Sequence, residues 1–268
     1  MYITLNDARI YVATGGKAFD SNLPTVVFLH GSGLDHRTWA LQTRWFAFHG
    51  FSVLAPDFPG HSLSAGQPLA SIETMADWLW QLLDQLEVQQ CSLIGHSQGG
   101  LVALEAASQQ HGRIRSVSLL GTAAAIPVNE QLLMLAESNR PAAVDAMLSW
   151  GFGEAYQFGR SHVPGQAPIG IGWQIMCDNP LHTDLLACQS YSNGERAAQN
   201  IQAPAQLILA QRDRMTPAKA GRALAEQLPN VVRLTELEKV GHMLPIEAPE
   251  QCLTELKQFI TGLEKGGK

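Results

Sequence analysis

One serine of this chain lies between two glycines, in the segment GHSQG at residues 95 to 99. An apolar run typical of a short strand precedes the segment, and apolar residues with helical spacing follow it. Because glycine suits positions where a Cβ would clash, the pattern predicts a tight turn that lifts the Ser97 side chain above a sheet edge. The segment matches the nucleophile elbow G-x-S-x-G and predicts Ser97 as the nucleophile of an acyl-transfer reaction. A structural Gly/Ser turn could show the same five residues.

The elements around this serine alternate between strand and helix. Continuous apolar runs predict buried strands, and apolar residues at helical spacing predict the helices between them. The predicted strands are 25–31, 51–57, 91–95, 114–121, 204–210 and 231–237, after a hairpin at 2–5 and 9–13, and the predicted helices are 38–50, 71–86, 98–110, 217–228 and 248–263. This order predicts a parallel sheet with right-handed crossovers, buried on both faces. Between about 122 and 200 the alternation stops, which indicates an insertion.

Two further segments carry a family resemblance. LHGSG, residues 29–33, ends the first buried strand, and PDFPGHSLS, residues 56–64, follows the next one. With GHSQG in the same order, they resemble the α/β-hydrolase family over essentially the whole chain. The resemblance implies the α/β-hydrolase fold, a mostly parallel eight-stranded sheet flanked by helices with a small, mainly helical cap after strand 6. It assigns residues 1–121 and 201–268 to the core domain and residues 122–200 to the cap.

Two residues depart from the family's common pattern. Ser62 stands where many relatives have glycine, in the loop after the second buried strand. Gln98 places a polar side chain beside the nucleophile, and this side chain either reaches into the pocket or packs against the cap.

The family's chain order of nucleophile, acid and base implies the partners of Ser97. A serine hydroxyl needs a base within hydrogen-bond reach, and that base needs an orienting carboxylate. Of the nine histidines, only His242 follows the last predicted strand, in VGHMLPIEAPE, which is similar to the family's histidine loop. Asp213 follows strand 204–210, where the family places its acid, whereas the end of the preceding strand, LLGTAAA, has no carboxylate. Asp213 could instead cap a helix, but Thr216 fits that position better.

The resemblance also implies an oxyanion hole made of backbone N–H groups. One is the N–H of Gln98, the residue after the nucleophile, and the other comes from the HGSG loop, where we assign Ser32. Gly33 and Leu34 are the alternatives to Ser32, because the conformation of the loop does not follow from its sequence.

The composition of the cap predicts the character of the substrate. Residues 141–194 carry only five charged side chains, which predicts a largely apolar pocket. We predict Trp150 and Trp173 as substrate-binding residues. The aromatic and long apolar residues of this segment could equally form the cap's own core, and they include Trp150, Phe152, Tyr156, Phe158, Trp173 and Met176.

Charge and cysteine usage limit the function classes. The 268 residues carry 24 acidic and 18 basic side chains, a net charge of −6, without a block of Lys and Arg, which argues against a nucleic-acid partner. The start of the sequence, MYITLNDARI, does not resemble a secretory signal, and no stretch offers the ~20 apolar residues of a membrane helix. Four cysteines without a C-x-x-C pair indicate neither a disulfide framework nor a zinc site. We expect a cytoplasmic protein whose partner is a small-molecule substrate, with no membrane partner, and the sequence predicts no oligomeric state.

Taken together, these residues predict a serine hydrolase that cleaves a carboxylic ester or lactone of a small, largely apolar substrate. Ser97 is the nucleophile, His242 the general base and Asp213 the orienting acid, and the chemistry requires neither a metal nor an organic cofactor. A serine nucleophile excludes the chemistry of the family's dehalogenases and epoxide hydrolases. Two alternatives stay open. One is carbon–carbon bond hydrolysis of β-diketone-like products, although Met243 stands where such relatives often have Trp, and the other is a receptor that retains the fold.

Overall fold

The protein is described here by a computed structural model that covers residues 1–153 and 168–266. The strands are β1 (Tyr2–Leu5), β2 (Ala8–Ala13), β3 (Thr25–Leu29), β4 (Ser52–Pro56), β5 (Cys91–His96), β6 (Ile114–Leu120), β7 (Ala205–Ala210) and β8 (Val231–Leu237). The helices are α1 (Ala40–Ala47), α2 (Ile72–Gln85), α3 (Gln98–Gln109), α4 (Glu130–Ser138), α5 (Arg140–Gly151), α6 (Pro168–Met176), α7 (Leu181–Ser190), α8 (Gly194–Asn200), α9 (Ala218–Gln227), α10 (Leu244–Glu247) and α11 (Pro249–Gly266). Within the described ranges, no helix has both the length and the apolar character that crossing a bilayer requires.

The eight strands form one sheet in the order β1-β2-β4-β3-β5-β6-β7-β8. In this order, all neighbouring strands from β4 through β3 to β8 pair in parallel. The pairs β1–β2 and β2–β4 are antiparallel. Strands β3, β4, β5 and β7 are buried along their whole length, as continuous apolar runs in a parallel sheet should be. The predicted fold, an eight-stranded and mostly parallel sheet flanked by helices, is confirmed.

Helices cover both faces of this sheet. One face packs against α2, α3, α8 and α9 through a core that includes Leu79 and Leu101. The other face packs against α1 and α11 through a core that includes Phe28, Phe46 and Leu256. Burial of such side chains contributes about 1.5–3 kcal/mol each, so the two cores hold the central strands, and the loops at their ends, in place.

Helix α2 illustrates how the sequence sets an element. Ile72, Met75 and Leu79 repeat at helical spacing and are buried on one face. At the start of the helix, the Ser71 side chain accepts the Thr74 N–H at 3.2 Å, and the Thr74 side chain accepts the Ser71 N–H at 3.2 Å. This capping box and apolar stripe confirm the predicted helix and its N-cap.

Between β6 and β7 the described part of the chain contains five helices, α4 to α8. Helices α4 to α7 contribute to a third apolar cluster, which includes Met147, Phe152 and Leu185, whereas α8 packs in the first core through Ala197 and Ala198. The same cluster takes in Leu34, from the loop after β3, and Met243, from the loop after β8. Helices α4 to α7 of the predicted cap therefore share one core with two loops at the carboxyl ends of the strands.

The cap boundaries at residues 122 and 200 stay a prediction. Tyr156 and Phe158 lie outside the described residues. Helix α9 begins at Ala218, and Pro217, predicted for its first turn, precedes the helix with ψ at 142°, which is an extended conformation.

Two glycines are required where β5 turns into α3. A Cβ added to Gly95 would overlap the backbone oxygen of Gly99, and one added to Gly99 would overlap the backbone oxygen of Leu29. The residue between them, Ser97, has φ at 53° and ψ at −119°, a strained conformation for a residue with a side chain. The close approach of α3 to β5 therefore depends on glycine at position 95, and its close approach to β3 depends on glycine at position 99.

We expect Gly99→Ala to lower the free energy of unfolding by about 1–3 kcal/mol, because rigid backbone has to move to admit the methyl group. Urea denaturation measures the change. The matched control is Gly262→Ala in α11, where an added Cβ meets nothing within 4 Å, so the substitution should raise stability by about 0.5–1 kcal/mol. Equal stabilities for the two variants would contradict the steric argument.

Candidate active site

The candidate catalytic side chains come from three loops at the carboxyl ends of the strands. Ser97 lies between β5 and α3, Asp213 follows β7, and His242 follows β8. In parallel α/β sheets the carboxyl ends of the strands form the edge where ligands bind. The fold thus brings together residues that are separated by up to 145 positions in the chain.

A continuous line of hydrogen bonds joins the three side chains. His242 Nε2 lies 2.9 Å from Ser97 Oγ, and His242 Nδ1 lies 2.8 Å from Asp213 Oδ2. The other carboxylate oxygen of Asp213 accepts the backbone N–H groups of Met215 and Thr216, each at 2.8 Å. All three side chains of the line are buried.

The electrostatics of this line determine its protonation. Burial alone would raise the pKa of Asp213, but the charge of His242 and the hydrogen bonds from His242 and Thr216 outweigh it and hold the pKa below its usual range. An ionised carboxylate only accepts hydrogen bonds, so whenever the imidazole of His242 carries a single proton, that proton lies on Nδ1, facing Asp213. Nε2 is then free to accept the hydroxyl proton of Ser97, as a general base must.

Thr216 supports the carboxylate rather than a helix. Its hydroxyl lies 2.7 Å from the carbonyl oxygen of Gly121 and 2.9 Å from Asp213 Oδ2. Since α9 begins two residues later, the predicted capping role of Thr216 is wrong. Through Thr216, the loop after β7 is attached to the end of β6.

His96, within the serine segment, anchors the loop of the candidate base. Its Nε2 donates to the backbone oxygen of His242 at 2.8 Å. Burial lowers the pKa of His96 to about 3, so the ring is neutral. The role could not be read from the sequence, because the contact spans 146 positions.

Glu247, the acidic residue of the histidine segment, holds the same loop from the other side. Its carboxylate oxygens accept the N–H of Gly241 and the N–H of Gly153, each at 2.9 Å. Burial raises the pKa of Glu247 to about 7, although both N–H groups favour the ionised form. Glu247 therefore ties the loop of His242 to the segment that follows α5.

Of the three N–H groups that the sequence offers in the loop after β3, one is available for an oxyanion. The N–H of Leu34 donates to the Gly31 oxygen at 3.0 Å, and the N–H of Gly33 donates to Asp184 Oδ2 at 2.7 Å. Among the described residues, the N–H of Ser32 has no such partner, and neither has the N–H of Gln98. Of the three alternatives that the sequence left open in this loop, the geometry favours Ser32.

The direction of the Ser32 N–H is set by the preceding carbonyl group. The Gly31 oxygen accepts a hydrogen bond from His30 Nδ1 at 3.0 Å as well as the Leu34 N–H. The Phe58 N–H donates to His30 Nε2 at 3.3 Å, so the ring is neutral, and burial lowers its pKa to about 4. A trans peptide points its N–H opposite its C=O, so these two donors to Gly31 also orient the N–H of Ser32.

A cavity of about 220 Å³ adjoins the candidate nucleophile. Ser32, Ser97 and His242 line it together with apolar side chains from the cap helices and the loops beside them. The apolar lining residues are Ile126, Pro127, Val128, Leu132, Met147, Trp150, Leu185 and Met215, and the lining is completed by Asn129, Cys188 and Arg214. The cavity thus combines reactive groups with largely apolar walls.

The two tryptophans predicted to bind substrate have different surroundings. Trp150 lines the cavity. Trp173 is not among the described residues that line it, and its indole N–H donates to Asp145 at 2.7 Å.

The side chain of Gln98 is not among the described residues that line the cavity. Its Nε2 donates to the backbone oxygen of Asp184 in α7 at 3.0 Å. This contact agrees with packing against the cap.

One group of side chains in the described ranges has the spacing of metal ligands. Asp35, His36 and Asp57 bring ligand atoms within 4.8 Å of one another. Their oxygens already accept hydrogen bonds from the protein, Asp35 from Arg37 and Asp57 from the ring and backbone N–H of His36. The group therefore acts as a structural junction in this conformation.

The chain matches the model of one protein family over most of its length. Residues 26–255 fit the family described as the alpha/beta hydrolase family. The chain belongs to the alpha/beta hydrolase family. This finding confirms the resemblance carried by the three glycine-containing segments.

Individual members of the family resemble the chain at moderate identity. It is 27% identical over 260 residues to a pimeloyl-[acyl-carrier protein] methyl ester esterase from Aromatoleum aromaticum, covering 90% of this chain and 100% of that protein. It is 30% identical over 264 residues to a putative carbamate hydrolase from Pseudomonas savastanoi pv. phaseolicola, covering 90% and 95% respectively. The solved enol-lactonase of Burkholderia xenovorans LB400 has the same fold, with a TM-score of 0.86 at 24% identity over 97% of this chain and 100% of that one.

The depressed pKa of Asp213 makes stability depend on pH in a defined direction. A carboxyl group with a lower pKa in the folded state stabilises that state above its unfolded pKa, near 3.8, and the contribution is lost as the pH falls through the folded value. We expect the stability difference between wild type and Asp213→Asn to be largest near about pH 7 and to shrink below about pH 4. Urea denaturation across this range measures it, and a difference that does not vary with pH would contradict the assignment.

Proposed function

We propose that this family member is a serine hydrolase that cleaves the carboxylic ester or lactone bond of a small, largely apolar substrate. The observation that carries the proposal is the line of hydrogen bonds from Asp213 through His242 to Ser97 Oγ beside an apolar cavity. Such a line activates a hydroxyl that is otherwise a weak nucleophile.

In the first half of the proposed reaction, Ser97 Oγ attacks the substrate carbonyl carbon while His242 Nε2 takes the hydroxyl proton. The carbonyl electron pair moves onto oxygen, where the N–H groups of Ser32 and Gln98 stabilise the charge. The tetrahedral intermediate then collapses and the bond to the leaving alkoxide breaks. His242 returns its proton to that oxygen, so an alcohol forms and an acyl ester remains on Ser97; the alcohol departs from an ester substrate and stays tethered to the acyl group of a lactone.

In the second half, water replaces the alcohol. His242 takes a proton from the water as its oxygen adds to the acyl carbon, and the same two N–H groups stabilise the second oxyanion. Collapse breaks the bond to Ser97 Oγ, which recovers its proton from His242, and the carboxylic acid is released. Every proton is moved by protein groups and water.

The relatives support this class of reaction. The names of the esterase and the putative carbamate hydrolase both describe hydrolysis at a carbonyl carbon bonded to a heteroatom. The cavity lining is mostly apolar, which favours an apolar acyl group, and Arg214 is a charged residue within the same lining. We also propose a cytoplasmic location, because the four cysteines are free thiols and a reducing compartment keeps them so.

Removal of the nucleophile or the base provides the direct test. We expect Ser97→Ala and His242→Ala each to lower kcat by about 10⁴-fold or more on p-nitrophenyl esters, because each removes a member of one catalytic unit. Labelling with a fluorophosphonate should also disappear in Ser97→Ala.

The matched control is His49→Ala. His49 is exposed, bonds to the Trp45 oxygen and lies outside the cavity lining, so this variant should keep wild-type kcat. Near-wild-type turnover in His242→Ala would refute the assignment of the base. A folded wild type that hydrolyses no ester would favour the carbon–carbon hydrolase or the receptor alternative.

A second prediction concerns substrate size. We expect Trp150→Ala to shift the preference among p-nitrophenyl esters, from acetate to dodecanoate, toward longer acyl chains, because it removes a wall of the cavity. The discrimination should change by roughly 10-fold, which is typical of a few methylene groups in an apolar pocket. Trp173→Ala, outside the described lining, is the comparison and should leave the profile close to that of wild type. Identical profiles for all three proteins would remove Trp150 from the substrate site.

A further inference from the structure

We infer that Asp184, on the cap helix α7, is a positioning residue whose carboxylate holds the loop that carries the Ser32 half of the oxyanion hole, while its backbone oxygen contacts the Gln98 side chain beside the other half. The inference rests on the proposed function, since it concerns the N–H groups assigned there. Asp184 belongs to the inserted segment, yet its polar atoms bond to the loop after β3 and to the first residue of α3. No feature of the local sequence around Asp184 predicts this role.

Two hydrogen bonds connect Asp184 to the hole. Its Oδ2 accepts the N–H of Gly33, the residue after Ser32, at 2.7 Å. Its backbone oxygen accepts Nε2 of Gln98, the residue whose N–H forms the other half, at 3.0 Å. One cap residue therefore contacts both segments that present N–H groups to the substrate oxygen.

The bond to Gly33 completes the orientation of the loop. The peptide before Ser32 is held from within the loop, by the donors to the Gly31 oxygen described above. The peptide after Ser32 is held by Asp184 alone among the described residues. Gly33 has φ at 67°, a conformation that glycine reaches readily, so the loop itself offers little resistance to a change of this peptide. The Asp184 carboxylate restrains this peptide by accepting the Gly33 N–H.

An ion pair keeps the Asp184 carboxylate in place. His61 Nε2 lies 2.9 Å from Asp184 Oδ2, and His61 Nδ1 lies 3.2 Å from the Pro59 oxygen. Both partners are acceptors, so both ring nitrogens carry protons and the ring is cationic. Burial alone would lower the pKa of His61, but the charge of Asp184 outweighs it and the pKa is raised.

Stability alone does not explain this buried pair. Both side chains are 1% exposed, and Asp184 Oδ1 has no hydrogen-bond partner among the described residues. The desolvation of two charges cancels most of their attraction, so apolar side chains of similar size are often at least as stabilising. The contribution we assign to the pair is therefore geometric, namely the placement of Oδ2 against the Gly33 N–H.

A second cap residue binds the same loop through different atoms. Asn179 Nδ2 donates to the carbonyl oxygens of Gly33 and Leu34, each at 3.0 Å, and its Oδ1 accepts the N–H of Ser62 at 2.8 Å. These bonds dock the cap on the loop without engaging the Gly33 N–H. Docking of the cap and orientation of the hole are thus separable by mutation.

The test compares Asp184→Leu with a double variant, His61→Phe with Asp184→Leu. The single variant leaves a buried cation unpaired and can be unstable, whereas the double variant replaces the whole pair by apolar groups and should fold. We expect kcat on p-nitrophenyl acetate to fall by about 10²-fold in the double variant, as for a misplaced catalytic group, with KM changed by less than about threefold. The inhibition constant of a boronic acid, which forms a tetrahedral adduct on Ser97, should rise by a similar factor.

Two further variants make the result specific. Asp184→Asn keeps a carbonyl oxygen that can accept the Gly33 N–H, so it should recover most of the lost kcat and the affinity for the boronic acid. Asp178→Asn removes an exposed carboxylate of the same cap segment and should match wild type. Circular dichroism and thermal unfolding establish that each variant is folded.

Three outcomes would overturn the inference. An unchanged kcat in the folded double variant would show that the Asp184 carboxylate does not position the hole. A raised KM at unchanged kcat would show that it serves substrate entry or cap docking only. A wild type without Ser97-dependent ester hydrolysis would remove the proposed function itself, and this result is distinct from loss of the Asp184 effect in an active enzyme.

Discussion

The strained backbone of Ser97 is the constraint on which the rest of the site depends. A residue with φ at 53° and ψ at −119° is stable only where its surroundings enforce that conformation. Gly99 provides the enforcement, because its missing side chain lets α3 lie against the carbonyl group of Leu29. The same turn directs Oγ at His242 and leaves the Gln98 N–H without an intrahelical partner. One strained residue therefore positions the proposed nucleophile and half of the proposed anion site together.

Four buried histidines surround this turn, and their hydrogen-bond partners decide what each can do. His30 and His96 are neutral because burial outweighs every favourable interaction of the charged ring, and they serve as fixed donors to carbonyl groups. His61 faces an acceptor at each nitrogen and is therefore charged. His242 alone among these rings faces a carboxylate on one side and a hydroxyl on the other, and can exchange a proton with the hydroxyl. The difference lies in the partners rather than in the residue type.

The sequence predicted those features that local patterns encode. The apolar runs and helical stripes lead to the sheet and its flanking helices, and the glycine spacing leads to the turn at Ser97. Chain order, through the family resemblance, selected Asp213 and His242, whose catalytic roles are proposals. No local pattern marks Asp184, because its contacts to Gly33 and His61 span 151 and 123 positions. Such contacts depend on how the inserted helices dock, which apolar periodicity alone does not determine.

The inserted helices pack against two loops of the core, so a substitution on either side of this contact affects the other side. The apolar cluster of the cap includes Leu34, two residues after Ser32, and Met243, next to His242. Packing in the cap therefore acts directly on the loops that carry the proposed oxyanion donor and the proposed base. Since interiors are densely packed, a change of volume in this cluster is transmitted to both loops rather than absorbed. A substitution that reshapes the substrate cavity from the cap side should thus alter turnover as well as specificity, even where it touches no polar group of the site.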